Sequence, residues 1–342
     1  MPDVRISRMG AIGRITLSRP KSLNSLTENM ISEIENALEN WRDNINVLAV
    51  VIDAEGEKAF CAGGDITDIF NQAKKGNFKF GHNFWSKEYR LNLKIARYPK
   101  PYIAFMQGFT MGGGVGISCH GSHRIVGENS IISMPECGIG LVPDVGGSHL
   151  LARLDNNIGV FLGTTAYRMN VADSIFCKFA DYYIPTKFWP VMIENLADAE
   201  HIETVINKYR HESPDSPIKK LVESIDEVMS PPDYKQLEER MLKHPKLLKS
   251  LQSLQKNSPL SVAYTYLMLQ LPEVANKLES ALQIEYRYTS RAQEKTDFIE
   301  GIRAMVIDKD QNPQWMHRSL SEVDVSDVKS LLAPAVLNLG RS

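Results

Sequence analysis

Three consecutive glycines, Gly112-Gly113-Gly114, follow closely on the apolar run Tyr102-Ile103-Ala104-Phe105-Met106 and the pair Gln107-Gly108. A backbone can approach a ligand or another backbone this closely only where side chains are missing. The pattern reads as a buried strand, a tight turn and then a helix. The first N–H groups and the positive dipole end of that helix aim at one point. Two carboxylates come next, Glu136 after Pro135 and Asp144 after Pro143, both close to further glycines. Fixed N–H donors facing carboxylates are the equipment of acyl-group chemistry, which must hold an oxyanion. The stretch from Phe105 to Gly147 is therefore the expected active site.

The same grammar recurs upstream. Val4 to Ser18 alternates in part and predicts two short strands around Gly10 and Gly13. Thr27 is a candidate N-cap, with Leu26 and Ile31 as a hydrophobic staple, for an amphipathic helix running to about Arg42. Val47 to Ile52 is a continuous β-rich run, the mark of a strand buried on both faces. A hairpin-like pair is expected around Gly127-Glu128-Asn129. Stacked ββα units, an α/β architecture, account for this order. After about Asp181 the spacing turns helical, over Glu194–Ile206, Ile218–Met229, Tyr234–Met241 and Pro245–Leu254, then from Ser258-Pro259 and over Pro272–Glu294. The breakers are the segment from His211 to Pro217 and Ser230-Pro231-Pro232. Residues 1–185 form the expected core and residues 186–342 a helical cap or association surface.

Composition narrows the chemistry. Lys plus Arg total 39 against 41 Asp plus Glu, which leaves no overall electrostatic footprint for nucleic acid. No apolar run approaches the roughly 18–20 residues that span a bilayer. The N-terminal MPDVRISRMG has neither a signal-peptide core nor a transit-peptide pattern, so a cytoplasmic protein is the simplest expectation. A mature mitochondrial enzyme would read the same way. Cys61, Cys119, Cys137 and Cys177 lack C-x-x-C pairing and read as reduced thiols. His120 and His123 have no ligand partners nearby, so no metal site is expected. The chain has no G-x-S-x-G elbow, no G-x-G-x-x-G and no P-loop.

One further glycine turn completes the set: Phe60-Cys61-Ala62-Gly63-Gly64-Asp65-Ile66, directly after the buried strand. Together with Met111-Gly112-Gly113-Gly114 and Met134-Pro135-Glu136 it resembles the crotonase (enoyl-CoA hydratase/isomerase) superfamily. Within it, FCAGGDI, KEYRLN, TMGGGVG, GLVPDVGG, IEYR and DFIEGIRAMVIDKDQNPQW resemble the 3-hydroxyisobutyryl-CoA hydrolase branch over nearly the whole chain. The resemblance implies a spiral of ββα units with a helical C-terminal half. It implies hydrolysis of a short branched acyl-CoA thioester, a step of valine catabolism, with CoA arriving as part of the substrate and no other cofactor. A homo-oligomer is implied as well. The thioester carbonyl would sit between the backbone N–H groups of Gly64 and Gly113, and substrate would be contacted by Glu88, Gly113, Glu136 and Asp144. The CoA adenine would lie near Ala62 to Ile66, and Lys21 in RPKSLN is the candidate phosphate contact.

One departure separates hydrolase from hydratase. Hydratases of this superfamily place a first catalytic glutamate three residues after the oxyanion glycine; here that position is Gly116. Losing one of two acid–base groups costs about 10²–10⁴-fold, so alkene hydration is disfavoured but stays as the alternative. A non-catalytic structural relative is the other. Blander roles remain open at this point: Glu136 as a cap, Asp144 as the N-cap of the next helix, and Glu88 on an exposed charged helix face.

Overall fold

The computed structural model describes residues 2–199, 201–230 and 233–340; Pro231 and Pro232, the expected breaker, lie outside them. Val4–Met9 (β1) and Ile12–Leu17 (β2) pair as an antiparallel hairpin whose turn uses Gly10 at φ +53°. Ala49–Ala54 (β3), Tyr102–Met106 (β5), His123–Val126 (β7) and Tyr182–Tyr183 (β9) extend this sheet in parallel, in the order β1-β2-β3-β5-β7-β9. Ala59–Cys61 (β4), Phe109–Met111 (β6) and Ile131–Ser133 (β8) form a second, three-stranded parallel sheet. After the opening hairpin, whose strands both lie in the large sheet, each repeat thus places one strand in the large sheet and the next in the small one.

The continuous apolar runs follow from burial on both faces of the large sheet. Val50, Ile52, Tyr102, Ala104 and Val126 enter the main core, while their alternating neighbours Ala49, Val51, Ile103, Phe105 and Ile125 enter a second cluster. Trp189, Met192, Ile193 and Leu196 close that second cluster. Their helix, Trp189–Ala197, and the next, Ile202–Tyr209, replace the single helix expected over Glu194–Ile206. The main core takes in residues of the second half as well, among them Tyr264, Leu282 and Phe298.

Local signals held where they rested on capping chemistry. Thr27 accepts the Met30 N–H at 3.2 Å and starts Glu28–Arg42 (α1). Ser258 accepts the Ser261 N–H at 3.1 Å ahead of Pro259–Met268. The hairpin expected around Gly127-Glu128-Asn129 does not form, because both edges of β7 are occupied by β5 and β9. The turn hands the chain to the other sheet, where β8 pairs with β6. The helix expected over Pro272–Glu294 is two, Pro272–Asn276 and Leu278–Lys295, broken where Lys277 is extended at φ −142°, ψ 132°. A single extended residue leaves the apolar periodicity on either side almost unchanged, so the break has no mark in the sequence.

Between β4 and β5 lie Ile66–Lys74 (α2) and Lys79–Ala96 (α3); Gly113–Ser118 (α4) follows β6. The three consecutive glycines serve three different needs. Gly112 turns the chain at φ +49°. A Cβ on Gly113 would lie 2.5 Å from Glu88 Oε1, and one on Gly114 would lie 2.3 Å from the Cys61 carbonyl oxygen. Gly114 therefore serves packing. Gly114→Ala should push α4 off β4 and lower stability by about 1–3 kcal/mol, measured as a lower urea midpoint at unchanged m. An unchanged midpoint would mean that α4 can move away freely.

Candidate active site

Because β4 and β6 run parallel and adjacent, their C-terminal ends lie together, and so do the glycine turns that follow them. A Cβ on Gly113 would be 3.2 Å from the Gly64 nitrogen, and one on Gly63 would be 3.9 Å from the Gly113 nitrogen. Among the described residues, neither the Gly64 nor the Gly113 N–H donates to a protein oxygen. Two free donors thus stand side by side at the start of α4.

Glu136 begins a 3-10 turn directly after β8, the neighbour of β6, and reaches back to this point. Its Oε1 lies 2.9 Å from where a Gly112 Cβ would stand. Glu88 arrives from α3. On that helix Lys87, Arg90 and Lys94 turn outward to Glu28, Glu35 and Glu39 of the α1 helix, whereas Glu88, Tyr89 and Asn92 turn inward and are buried. Glu88 is thus not on the exposed charged face. Asp144, 4% exposed, accepts a hydrogen bond from the Tyr89 hydroxyl at 2.7 Å.

The three carboxyls line one cavity and are all buried, and burial dominates their acidity. It pushes Asp144 up to about 7 against the pull of the Tyr89 bond. Burial first, and the nearby Asp144 second, hold Glu88 and Glu136 well above the usual carboxylate range. Glu88 Oε1 and Glu136 Oε2 have no hydrogen-bond partner in the protein. Unpartnered buried carboxyl oxygens are rare in structural roles and mark a place for a ligand.

Asp144 is not the N-cap of Gly147–Ala152 (α5). That role belongs to Glu285, on the long helix Leu278–Lys295. Its carboxylate accepts from Gly146 N at 2.9 Å, from Ser148 N at 3.1 Å and from the Ser148 hydroxyl. The turn that carries Asp144 is therefore held from 137 residues further along the chain. The only trace of this in the sequence is the acid within IEYR, and nothing there names its partner. His120, half-buried, has Nε2 2.8 Å from the Val145 carbonyl, and desolvation lowers its pKa to about 4, so it is a neutral structural group.

Gly64, Gly113, Glu88, Glu136, Asp144 and Ala62 all line one cavity of about 1170 Å³; Lys21 does not. It sits exposed in the turn Pro20–Ser22. The Gly116 position is closed: a Cβ there would lie 2.6 Å from Asn92 Nδ2 and 2.8 Å from Val145 Cβ. Among the described residues no group of three or more His, Cys, Asp or Glu is arranged to hold a metal, and no helix is long and apolar enough to cross a membrane.

The sequence profile described as Enoyl-CoA hydratase/isomerase matches residues 12–332. The chain belongs to that family. Within it, the chain is 37% identical over 341 residues to a mitochondrial 3-hydroxyisobutyryl-CoA hydrolase of Mus musculus, covering 96% of this chain and 88% of that protein. The Homo sapiens protein of the same name is 36% identical with the same coverage. These relatives bear out the branch resemblance. Among solved structures, an enoyl-CoA hydratase from Rhodobacter sphaeroides 2.4.1 superposes at TM-score 0.92 with 46% identity, over 97% of this chain and 98% of that one. A carnitinyl-CoA dehydratase from Mycobacterium thermoresistibile reaches TM-score 0.94 with 33% identity over 99% of each chain. The crotonase-type α/β fold with a helical C-terminal region is therefore that of the family, and the chain is a family enzyme acting on an acyl-CoA substrate.

The expectation of a cytoplasmic protein is overturned by the same comparison. The curated relatives from mouse, rat, zebrafish and human are all named as mitochondrial proteins, which favours that compartment. Compartment is addressed by targeting segments and not by the packed core, so composition and charge could not carry it.

Glu285 gives a stability test. Burial raises its pKa to about 8 from the ordinary 4.5, so between those values the folded chain binds more protons than the unfolded one. Its contribution to stability therefore falls as pH rises through that window. Glu285→Gln should remove this part of the slope, and should cost about 1–3 kcal/mol near pH 5 by facing an amide N–H₂ toward N–H donors. Urea midpoints at pH 5 and pH 8.5 check both; identical slopes in the two proteins would place the titration elsewhere.

Proposed function

We propose that the enzyme hydrolyses a short branched acyl-CoA thioester, with 3-hydroxyisobutyryl-CoA the first substrate to test. The observation that carries this reading is the closed Gly116 position. A side chain there would collide with Asn92 and Val145, so the first hydratase glutamate is absent and has no room to stand. In this reading residues 186–342 act as a cap on the core of residues 1–185, with Glu285 and Thr289 reaching the site from above.

The thioester oxygen would sit between the N–H groups of Gly64 and Gly113, where fixed donors each lower the barrier by roughly 3–4 kcal/mol. Glu136, its carboxyl raised by burial, would take a proton from water as the oxygen attacks the thioester carbon. The tetrahedral oxyanion then collapses, the C–S bond breaks, and the same proton returns to the CoA sulfur. A carboxyl raised toward neutrality suits both transfers. Attack by Glu136 itself, through a mixed anhydride that water then opens, is the covalent variant of the same scheme. Glu88 and Asp144 would orient the acyl group and its hydroxyl.

Hydration or dehydration is the second reading, and the solved relatives lean toward it. The Rhodobacter protein named a hydratase is more similar to this chain, at 46% identity, than the mouse hydrolase at 37%. Glu88 and Glu136 both lie beside the Gly112–Gly113 backbone, so a pair of acids reaches the acyl position although neither comes from residue 116. Thiol release from a panel of acyl-CoA esters, run beside crotonyl-CoA hydration, separates the two readings. Rapid thiol release with weak hydration is expected; hydration at a comparable or higher rate would overturn the hydrolase reading.

Glu136→Gln should lower kcat by at least about 10³-fold with KM little changed; near-normal turnover by folded protein removes Glu136 from the chemistry. Asp144→Asn should cost less, and more with a 3-hydroxy ester than with a plain one. Tyr89→Phe removes a donor that favours ionised Asp144, so that pKa rises. The part of the kcat/KM pH profile that reports ionisation of Asp144, expected near pH 7, should then move to higher pH. A limb that stays in place would show that another group titrates.

A further inference from the structure

The Glu88 carboxyl reaches the backbone of the second glycine turn. Its Oε1 stands 2.5 Å from the point that a Gly113 Cβ would occupy, and the Gly64 nitrogen stands 3.2 Å from that same point. Gly113's own N–H adjoins it. One side-chain oxygen and the two free N–H donors therefore surround one place. Glu88 is 3% exposed and lines the same cavity as Gly64 and Gly113, and its Oε1 has no hydrogen-bond partner in the protein.

An ionised carboxyl at this place would defeat the site. It would compete for the two N–H groups and repel an oxygen that gains negative charge between them. A neutral carboxyl instead adds an O–H donor. The surroundings favour the neutral form. Among the described residues no Lys, Arg or His pairs with Glu88. On the α1 side, Glu28 and Glu35 face Lys87 and Arg90; Asp65 pairs with Arg19 ahead of α2, whose Asp68 and Lys74 are exposed. From the helix Leu278–Lys295, Glu285 is taken up by the Gly146 and Ser148 donors. The Cys61 thiol of β4 is neutral, pushed up to about 12 chiefly by burial, and the Tyr89 hydroxyl donates to Asp144. That leaves the acids Asp144 and Glu136. Burial first, and Asp144 second, oppose ionisation of Glu88.

We infer that Glu88 is a catalytic residue that works as a neutral acid, its O–H serving as a third donor to the thioester oxygen beside the N–H groups of Gly64 and Gly113. This rests on the reading of the cavity as the acyl-CoA site, with the carbonyl between those two N–H groups. The proton stays on Glu88, so no bond is made or broken there. A donor already in place stabilises the developing charge without reorganisation. Unlike the two backbone donors, this one is lost on ionisation, which makes it visible in a pH profile. The acyl hydroxyl is then left to Asp144.

The test compares Glu88→Gln, which keeps an N–H donor without charge, with Glu88→Leu, which keeps neither donor nor acceptor. Glu88→Leu should lower kcat by about 10²–10³-fold, the usual cost of one oxyanion donor, and Glu88→Gln should lose no more than about tenfold. The natural protein should lose activity as pH rises through the ionisation of Glu88, and Glu88→Gln should lack that falling limb. Asp144→Asn removes the charge that opposes this ionisation, so the limb should move to lower pH. A ketone analogue of butyryl-CoA, with a methylene in place of the sulfur and ¹³C at the carbonyl, reads the hydrogen bond without turnover. Its carbonyl signal should move downfield on the natural protein and on Glu88→Gln, and less on Glu88→Leu. A Gln variant as impaired as the Leu variant means that the carboxylate is needed and overturns the inference. A falling limb that survives in Glu88→Gln does the same, as does an equal carbonyl shift in all three proteins. Should Glu88→Leu fail to fold, the pH profile of Glu88→Gln decides. A natural protein that releases thiol from no ester would sink the proposed hydrolysis, while the ketone shifts would still decide the role of Glu88.

Discussion

Acids can be held dry against a main chain only where nothing projects from that chain, and the site is built around this constraint. Gly112 and Gly113 leave space into which Glu136 and Glu88 extend, at 2.9 Å and 2.5 Å from the positions of the missing Cβ atoms. Parallel pairing of β4 with β6 then brings Gly64 beside Gly113. Donors and acids are thereby set close together in a buried setting, where their fields are weakened less than in bulk water. The raised pKa values of Glu88, Glu136 and Asp144 follow from that burial.

Such a cluster strains the fold that holds it, because each carboxyl would be better solvated in the unfolded chain. The long helix Leu278–Lys295 supplies the compensation. Glu285 gathers the Gly146 and Ser148 donors, and Thr289, one turn on, lies 3.3 Å from the Tyr89 hydroxyl that holds Asp144. Tyr288 donates to the Gly140 carbonyl at 3.0 Å, next to the turn that begins at Glu136. This helix is thus part of the site's frame.

Much of this was legible from local pattern. Thr27 declared its cap because capping needs only the residue itself and the amide three positions on, and Ser258-Pro259 marked a helix start because proline suits the first helical position. The runs Val47–Ile52 and Tyr102–Met106 announced strands buried on both sides, since no alternation was left to face water. The pairing of two glycine turns with Glu136 and Asp144 was visible as a motif set, and the structure places all of them, with Glu88 and Ala62, on one cavity. Lys21 does not line that cavity, and its neighbourhood in the sequence says nothing about which way the turn Pro20–Ser22 faces. Glu88 was ambiguous for a related reason: Lys87 and Arg90 beside it do face solvent, and only the packing of α1 against α3 decides which side of the helix points inward.

By itself, then, the sequence determined where glycine must leave the backbone bare, which strands would be buried, where helices begin, and which residue is missing at position 116. These are properties of a residue and its near neighbours. Tertiary structure decided everything that depends on two distant segments meeting. It sent β8 to the small sheet in place of a hairpin with β7, gave the cap of α5 to Glu285, filled the space beside Gly116 with Asn92 and Val145, and brought Glu88, Glu136 and Asp144 to one cavity. Desolvation, which sets the acidity of the site, belongs with these, because burial is created by the whole chain and is written in no single stretch of it.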